Sequence, residues 1–380
     1  MVSNLATPNF INRDPATTEA DIISLWESLA DKTLFPGQAE RLLINLLNYR
    51  ETLLRIGIQY AGEQNLVNLA SGIHLDQLGA LVGAPRLPES FAALTLQFTL
   101  AAPRGVDTLI PAGTRARVAG APVLFATDEN ATIAAGQTTI TVQATAGTAG
   151  ILGNGFTVGQ IDQLLDPIPG LTLTVTNTTA STGGADVEAD DPYRTRIKLA
   201  PSQFSVAGPA DAYKFHTLTV SQLIIDASVV MPLNDAGGLL RIYVDVYPLT
   251  SEGLPSIELI AQIQDALDND QVRPLCDIVT VKSPTSAGFT IDADITLLDE
   301  ADGVVLATEI AAAVDAYITE RESQLGQDIV RSQIIGVITG VAGVYDVTLN
   351  SPATDIVVAE TEWANHTGNP VLNIVGTNEG

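Results

Sequence analysis

The feature that most constrains this chain is a break in its patterning at GGADVEADDPYRTRIKLAPSQFSVAGPADAYKFHTLTV, residues 183–220. Upstream lie a leucine-rich helical stretch and a Thr/Ala/Gly-rich β region. Downstream, strands alternate with helices and most of the acid is found. No single layered architecture satisfies both patterns. Within the break, Asp191 before Pro192 predicts a helix start, with an acceptor at N-cap and a pre-set φ at N1. That helix should run to about Leu199. Pro201 and Gly208-Pro209 then interrupt the chain, and a second helix is expected over roughly 210–218, with Tyr213 and Phe215 as its large side chains.

At 380 residues, 46% of them hydrophobic, the chain is long enough for several buried cores. The patterning predicts a mixed α+β, multi-domain protein. It has an N-terminal helical arm (1–90), an antiparallel β-rich domain (91–182) and two tandem α/β sandwich-like domains (183–284 and 285–380).

In the arm, Thr17 or Thr18 could cap a helix over about 19–32 with Ile22, Ile23, Trp26 and Leu29 on one face. After Pro36-Gly37, residues 38–59 place Leu42, Leu43, Leu46, Leu47, Leu53 and Leu54 at helical spacings. So long an apolar helix, with little other apolar sequence nearby, calls for a partner helix. A short helix is expected from 66, and another over 74–82 with Leu75, Leu78 and Leu81 on its apolar side.

Residues 91–182 hold short Thr, Val, Leu and Ile runs separated by Gly, Pro and Asn turns, the pattern of an antiparallel β domain. Farther on, 223–231 and 239–248 read as strands joined through Asn234, Asp235, Gly237 and Gly238, and Leu240, Ile242, Val244 and Val246 share a face of the second. Ser256 should cap a helix through Leu267. Strand 288–300, helix 304–322, a short helix over 329–341 and strand 344–352 repeat the scheme more loosely.

Asp and Glu number 44 against 18 Lys and Arg, and residues 183–380 alone carry 29 acids and 9 bases. Such an acidic surface argues against nucleic acid as a primary partner. Cys276 is the one cysteine, expected to be a small buried residue, so a disulfide framework and a multi-Cys metal site are excluded. The N-terminus lacks the pattern of an export signal and no long apolar run predicts a membrane span, so cytoplasmic synthesis is expected.

No constellation of residues carries chemistry. Asp186, Glu188, Asp190 and Asp191 could in principle supply a glycosidase pair, but a capping duty and a solvated approach explain them. Asp292, Asp294, Asp299, Glu300 and Asp302 lack the calcium-loop pattern. His74, His216 and His366 are far apart in sequence with no cysteine beside them, and His74 reads as a capping or surface residue. Gly147, Gly150, Gly153, Gly155 and Gly159 are followed by neither a lysine nor a helical pattern, so they read as turns rather than a phosphate cradle. No enzyme and no cofactor is expected.

Three stretches carry a resemblance. The first is LASGIHLDQLGALVGAPR (69–86), through Ala70, Gly72, Leu75, Asp76, Leu78, Gly79 and Arg86. The second comprises Pro111, Ala112 and Gly113 with Gly150, Gly153, Asn154 and Gly159. The third is the break itself, through Gly183, Gly184, Asp186, Glu188, Asp191, Arg194 and Arg196, then Gly208 and Tyr213, with the Arg-Pro-Leu of 273–275 as a further match. Together they resemble the baseplate J-like family of contractile phage tails and related injection machines, over about residues 38–350.

The resemblance implies a structural wedge subunit of the virion, assembled in the host cytoplasm. Its N-terminal helices would join smaller baseplate wedge proteins. Its C-terminal domains would meet neighbouring copies, as a homodimer or ring around the tail hub, next to hub or sheath-initiating proteins. No membrane or nucleic-acid partner is implied. Leu42, Leu43, Leu46, Leu47, Leu53 and Leu54 would be the partner interface, and Gly183, Gly184, Glu188, Asp191, Arg194, Arg196 and Tyr213 the structural junction. The alternative is a tail-associated glycan-binding or glycan-hydrolysing protein, for which an aromatic content of 5% is low.

Overall fold

A computed structural model describes residues 6–205, 208–233, 238, 242–269, 272–274, 276–299 and 302–378. The expectations for Asn234, Asp235, Gly237, Leu240, Leu275 and Glu300 lie outside the described residues. The chain forms two compact units: residues 1–85 with 193–198, and residues 86–192 with 199–380.

The first unit is helical. Helix α1 (Pro15–Ala30) starts three to four residues earlier than a Thr17 or Thr18 cap would allow, because Asp14 is the cap and accepts from the amides of Ala16 and Thr17. Asp14 also accepts from the Thr17 hydroxyl, and these bonds hold its carboxyl below the usual range. Helix α2 (Ala39–Glu63) runs past the expected end at 59. Residues 66–69 form turns instead of a helix, and α3 (Gly72–Leu81) follows. Leu75 is fully buried, but Leu81, expected on the same face, is 81% exposed.

The second unit begins with a β domain. Strands β1 (Phe91–Leu100), β2 (Thr108–Ile110), β3 (Arg115–Arg117), β4 (Leu124–Thr127), β5 (Ala131–Ile133), β6 (Thr139–Ala149), β7 (Gln163–Leu164) and β8 (Leu173–Asn177) form a six-stranded sheet in the order β7-β3-β4-β6-β1-β8 and a β2-β5 pair. All these pairings are antiparallel. The end strands β7 and β8 touch, so the sheet curls like a barrel. Alternation along β1 turns Leu94, Leu96, Phe98 and Leu100 inward, and Phe125, Ile110, Ile133 and Ile161 complete the core.

Helix α4 (Asp190–Leu199) begins one residue before Asp191, so Asp191 lies inside the first turn and is not the cap. Two acidic residues in that turn suit the positive end of the helix dipole. Helix α5 (Ala210–Val220) precedes β9 (Ile224–Val230), β10 (Tyr243–Thr250), α6 (Ile257–Leu267) and β11 (Ile278–Val281), with sheet order β11-β10-β9. Ser256 caps α6 by accepting from Leu259 N. Leu259, Ile263 and Leu267 of α6 pack on Val244, Val246, Val279 and Val281. Cys276 is exposed rather than buried, because it sits in the turn that leads from Pro274 into β11.

The last domain contains β12 (Thr285–Phe289), β13 (Asp292–Leu298), α7 (Gly303–Glu322), α8 (Arg331–Thr339), β14 (Val344–Ser351), β15 (Glu362–His366) and β16 (Val371–Asn378). Strand β13 is central, antiparallel to β14 and parallel to β16, while β12 pairs with β15 in parallel. Helices α7 and α8 bury Leu306, Ile310, Val314, Ile334 and Ile338 against Ala293, Ile295 and Leu297. Residues beyond Ser351, which carried no resemblance, are thus built into the domain. Trp363 of β15 lies against Gly253, where a Cβ would stand 2.9 Å from the indole, and donates to Glu322 O at 3.0 Å.

Candidate protein-docking site

Helix α2 is inside out. The helical period places its apolar side chains over an arc of about 200°, twice the width of an ordinary surface helix's stripe. That arc is the open side: Leu42 is 74% exposed, Leu54 65%, and Leu43, Leu46, Leu47 and Leu53 between 45% and 58%. Tyr49, Ile56, Ile58 and Tyr60 are exposed with them. The buried side holds Ile44 and the amides Asn48 and Gln59. Polar anchors fasten it: Asn48 donates to Pro15 O, Gln59 donates to Pro8 O and accepts from Phe10 N, and Arg55 donates to Asn12 O and Glu51. Arg41 pairs with Glu19. The first unit therefore spends its hydrogen-bonding residues inward and leaves about a dozen ångströms' width of leucine uncovered along a helix of about 38 Å.

Two heptad strips share the arc. One is Leu42, Leu46, Tyr49, Leu53, Ile56 and Tyr60, at alternating spacings of four and three. The other, one residue on, is Leu43, Leu47, Arg50, Leu54, Gly57 and Ala61. Such spacing presents knobs to a helix running alongside, and two strips offer room for two helices. Leu25 and Leu29 of α1 and Ile73 of α3 are exposed as well.

The junction residues fall into separate groups. Gly183, at φ 90°, accepts from the Ser90 hydroxyl at 2.7 Å. Gly184 exchanges two bonds with Asn154: its amide donates to Asn154 Oδ1 at 2.9 Å and its carbonyl accepts from Asn154 Nδ2 at 2.8 Å. A Cβ on Gly184 would lie 2.4 Å from Gly150 O, so the close approach requires glycine. Glu188 is buried and accepts from Leu87 N at 2.9 Å, while Arg86 donates to Glu188 O and to Asp190. Asp191 sits in the first turn of α4.

Within the first unit, Arg194 donates to Val67 O and Ala70 O at 2.7 and 2.8 Å. Arg196 donates to Pro85 O at 2.7 Å and lies over the Tyr193 ring. Tyr193, which sequence reasoning passed over, is fully buried and donates to Ala84 O at 2.8 Å. It fills the space above Gly79, where a Cβ would come within 1.9 Å of its oxygen. That contact explains a Gly on the buried side of α3. Tyr213 is buried in the other unit and donates to Asp277 at 2.7 Å; burial first, and the Asp277 carboxylate second, push its hydroxyl well above the usual tyrosine range.

The rejected chemical sites show ordinary contacts. Asp294 accepts from Asn350 and Asn373. Gly150, Gly155 and Gly159 all have positive φ, as turns require. His74 is exposed and meets the Tyr60 ring edge-on. Among the described residues no group of three or more His, Cys, Asp and Glu could hold a metal, and no helix is long and apolar enough to cross a membrane.

The described residues form a multi-domain α+β scaffold whose leucine-rich helix α2 is uncovered. Three family models match in succession: Baseplate J-like protein barrel domain over residues 95–184, Baseplate J-like central domain over 205–283, and Baseplate J-like protein C-terminal domain over 289–368. The chain belongs to the baseplate J-like family. It is 32% identical over 178 residues to Baseplate protein J of Escherichia phage P2, a match spanning 47% of this chain and 57% of that protein. A looser likeness, with a TM-score of 0.46 at 15% identity, covers 93% of this chain and 90% of a chain in the anti-feeding prophage (AFP) baseplate, solved by cryo-EM with 6-fold symmetry.

Proposed function

We propose that the chain is a wedge subunit of a contractile tail baseplate, held in the virion, whose α2 docks with helices of smaller wedge proteins. The inverted disposition of α2 carries this reading: Leu42, Leu43, Leu46, Leu47, Leu53 and Leu54 are all exposed while Asn48 and Gln59 are buried. An isolated protein gains nothing by exposing so much leucine, since burying one such side chain is worth about 1.5–3 kcal/mol. A bundle with partner helices recovers that energy.

Residues 285–380 would meet neighbouring copies to form a ring around the tail hub, next to hub or sheath-initiating proteins. Strand β16 supports this second contact. It lies at a sheet edge, carries no charged residue, and exposes Val371, Ile374 and Val375, an edge that asks to be covered. Gly183, Gly184, Glu188, Asp191, Arg194, Arg196 and Tyr213 would serve as the junction that fixes the segments of residues 1–90, 91–182, 183–284 and 285–380 for this assembly, which would take place in the host cytoplasm.

The test is coexpression of tagged chain with the neighbouring tail proteins. Leu46→Asp combined with Leu53→Asp should abolish copurification of the smaller partners while changing the stability of the purified chain by no more than about 0.5 kcal/mol. Undiminished copurification would sink the assignment of α2.

A further inference from the structure

The three arginines of α2 are treated differently by the fold. Arg41 is paired with Glu19, and Arg55 with Glu51 and Asn12 O, both on the covered side. Arg50 is exposed and makes no hydrogen bond or ion pair among the described residues. At the helical period it belongs to the second strip, on the side nearer the first, close to the middle of the open arc. A helix docked on either strip would bring its side chains over the Arg50 guanidinium and remove it from water.

An arginine desolvated in this way needs an anion, since an unpaired buried charge costs several kcal/mol. We infer that α2 selects, through Arg50, a leucine-strip helix from a different protein that carries a Glu or Asp midway along its contact face. This rests on the reading of α2 as a docking helix and adds the chemistry of the partner. A second copy of α2 laid alongside in parallel register would set Arg50 against Arg50. The acids of α2 offer no remedy over its full length. Glu51 is engaged by Arg55 and Glu63 by Gln59 on other faces. Glu40 is on a strip but in the first turn, so pairing it with Arg50 of another copy leaves Leu53, Leu54 and Ile56 uncovered. Full cover of the arc with a satisfied Arg50 requires a partner of different sequence. A single polar residue at such a seam also fixes axial register, because any slip strands the charge.

The experiment uses the full chain and a pair of synthetic leucine-heptad helical peptides, identical except for Glu or Lys at the central contact position, with binding read by fluorescence anisotropy. The Glu peptide is expected to bind at least about tenfold more tightly than the Lys peptide. Arg50→Glu should reverse that order, and Arg50→Leu should erase it; Arg50 is on the surface, so both variants fold. Equal binding of the two peptides, lost in Leu46→Asp with Leu53→Asp, overturns the charge selection and leaves the docking helix standing. Binding of neither peptide overturns both. Sedimentation showing wild-type chain self-associating through α2, with the same aspartate pair abolishing it, would assign the surface to a second copy and overturn the inference of a different partner.

Discussion

Helices α2 and α7 are the two longest among the described residues, and each within its own unit treats its apolar face differently. In α7, Leu306, Ile310, Val314 and Tyr317 are buried against the sheet of the last domain. In α2 the corresponding apolar ladder is open, and amides occupy the buried side. Both read in sequence as amphipathic helices of similar period. The difference teaches that periodicity gives the width and position of an apolar face but not what covers it. What distinguishes them is what each packs on: β13, with Ala293, Ile295 and Leu297, serves α7, whereas the buried side of α2 holds Ile44 with the amides Asn48 and Gln59.

The comparison breaks most sharply if a charge is placed on each helix. Ile310→Asp should destabilise the chain by about 4 kcal/mol or more, enough to unfold the last domain, as read by urea denaturation. The aspartate pair on α2 should leave the same curve in place. Equal losses would mean that α2 is a core helix of this chain after all.

A smaller effect asks what holds the first unit together if its leucines do not. Gly79→Ala would drive a Cβ into Tyr193 Oη and to 2.6 Å from Ala84 O, and one of these is backbone that cannot swing aside. The expected loss is about 3 kcal/mol in the melting of the first unit, at the upper end for overpacking. A neutral result would show that α3 and Tyr193 are not tightly packed.

The smallest effect concerns His216 on α5, whose imidazole meets the Phe215 ring edge-on at 5.4 Å. Burial lowers its pKa from the ordinary 6.5, because desolvation penalises the charged ring. The unfolded chain then binds the proton more readily than the folded one. Stability from this residue is intact above about pH 6.5 and declines as pH falls below it. The melting temperature should drop between pH 7 and pH 5, and by less in His216→Gln; an identical drop in both would place the titration elsewhere.

Much of this arrangement was legible in the sequence, and the misses have physical causes. The β character of residues 91–182 and the Ser256 cap of α6 were plain, since local pattern and local structure coincide there. Of the α6 stripe expected at Ile257, Ile260, Ile263 and Leu267, Ile263 and Leu267 are buried but Ile257 is 82% exposed, and Leu259 takes its place. The leucines of α2 were legible as a surface in want of a partner, but the burial of Asn48 and Gln59 was not. It depends on residues 8–15 returning along the helix, a contact between distant positions. Cys276 was misjudged because a lone cysteine in a turn lacks the apolar neighbours that bury most of its kind. The residues after Ser351 looked featureless because β15 and β16 join by parallel pairing with β12 and β13, which no local turn announces. Tyr193 could have been found: a large aromatic just before two arginines, Arg194 and Arg196, with a glycine on a helix face elsewhere, is a knob and its socket.

The contribution of residues 193–198 to the first unit has a consequence for modularity. The carbonyls of Val67, Ala70, Ala84 and Pro85 receive their donors from Arg194, Tyr193 and Arg196, more than a hundred positions later in the chain. The helical unit is therefore not a detachable cassette. A graft that carried residues 1–85 alone would leave those four acceptors and the hollow above Gly79 unfilled, so exchange of this unit between proteins must be a two-piece transaction, with the short helical segment travelling together with the arm it completes.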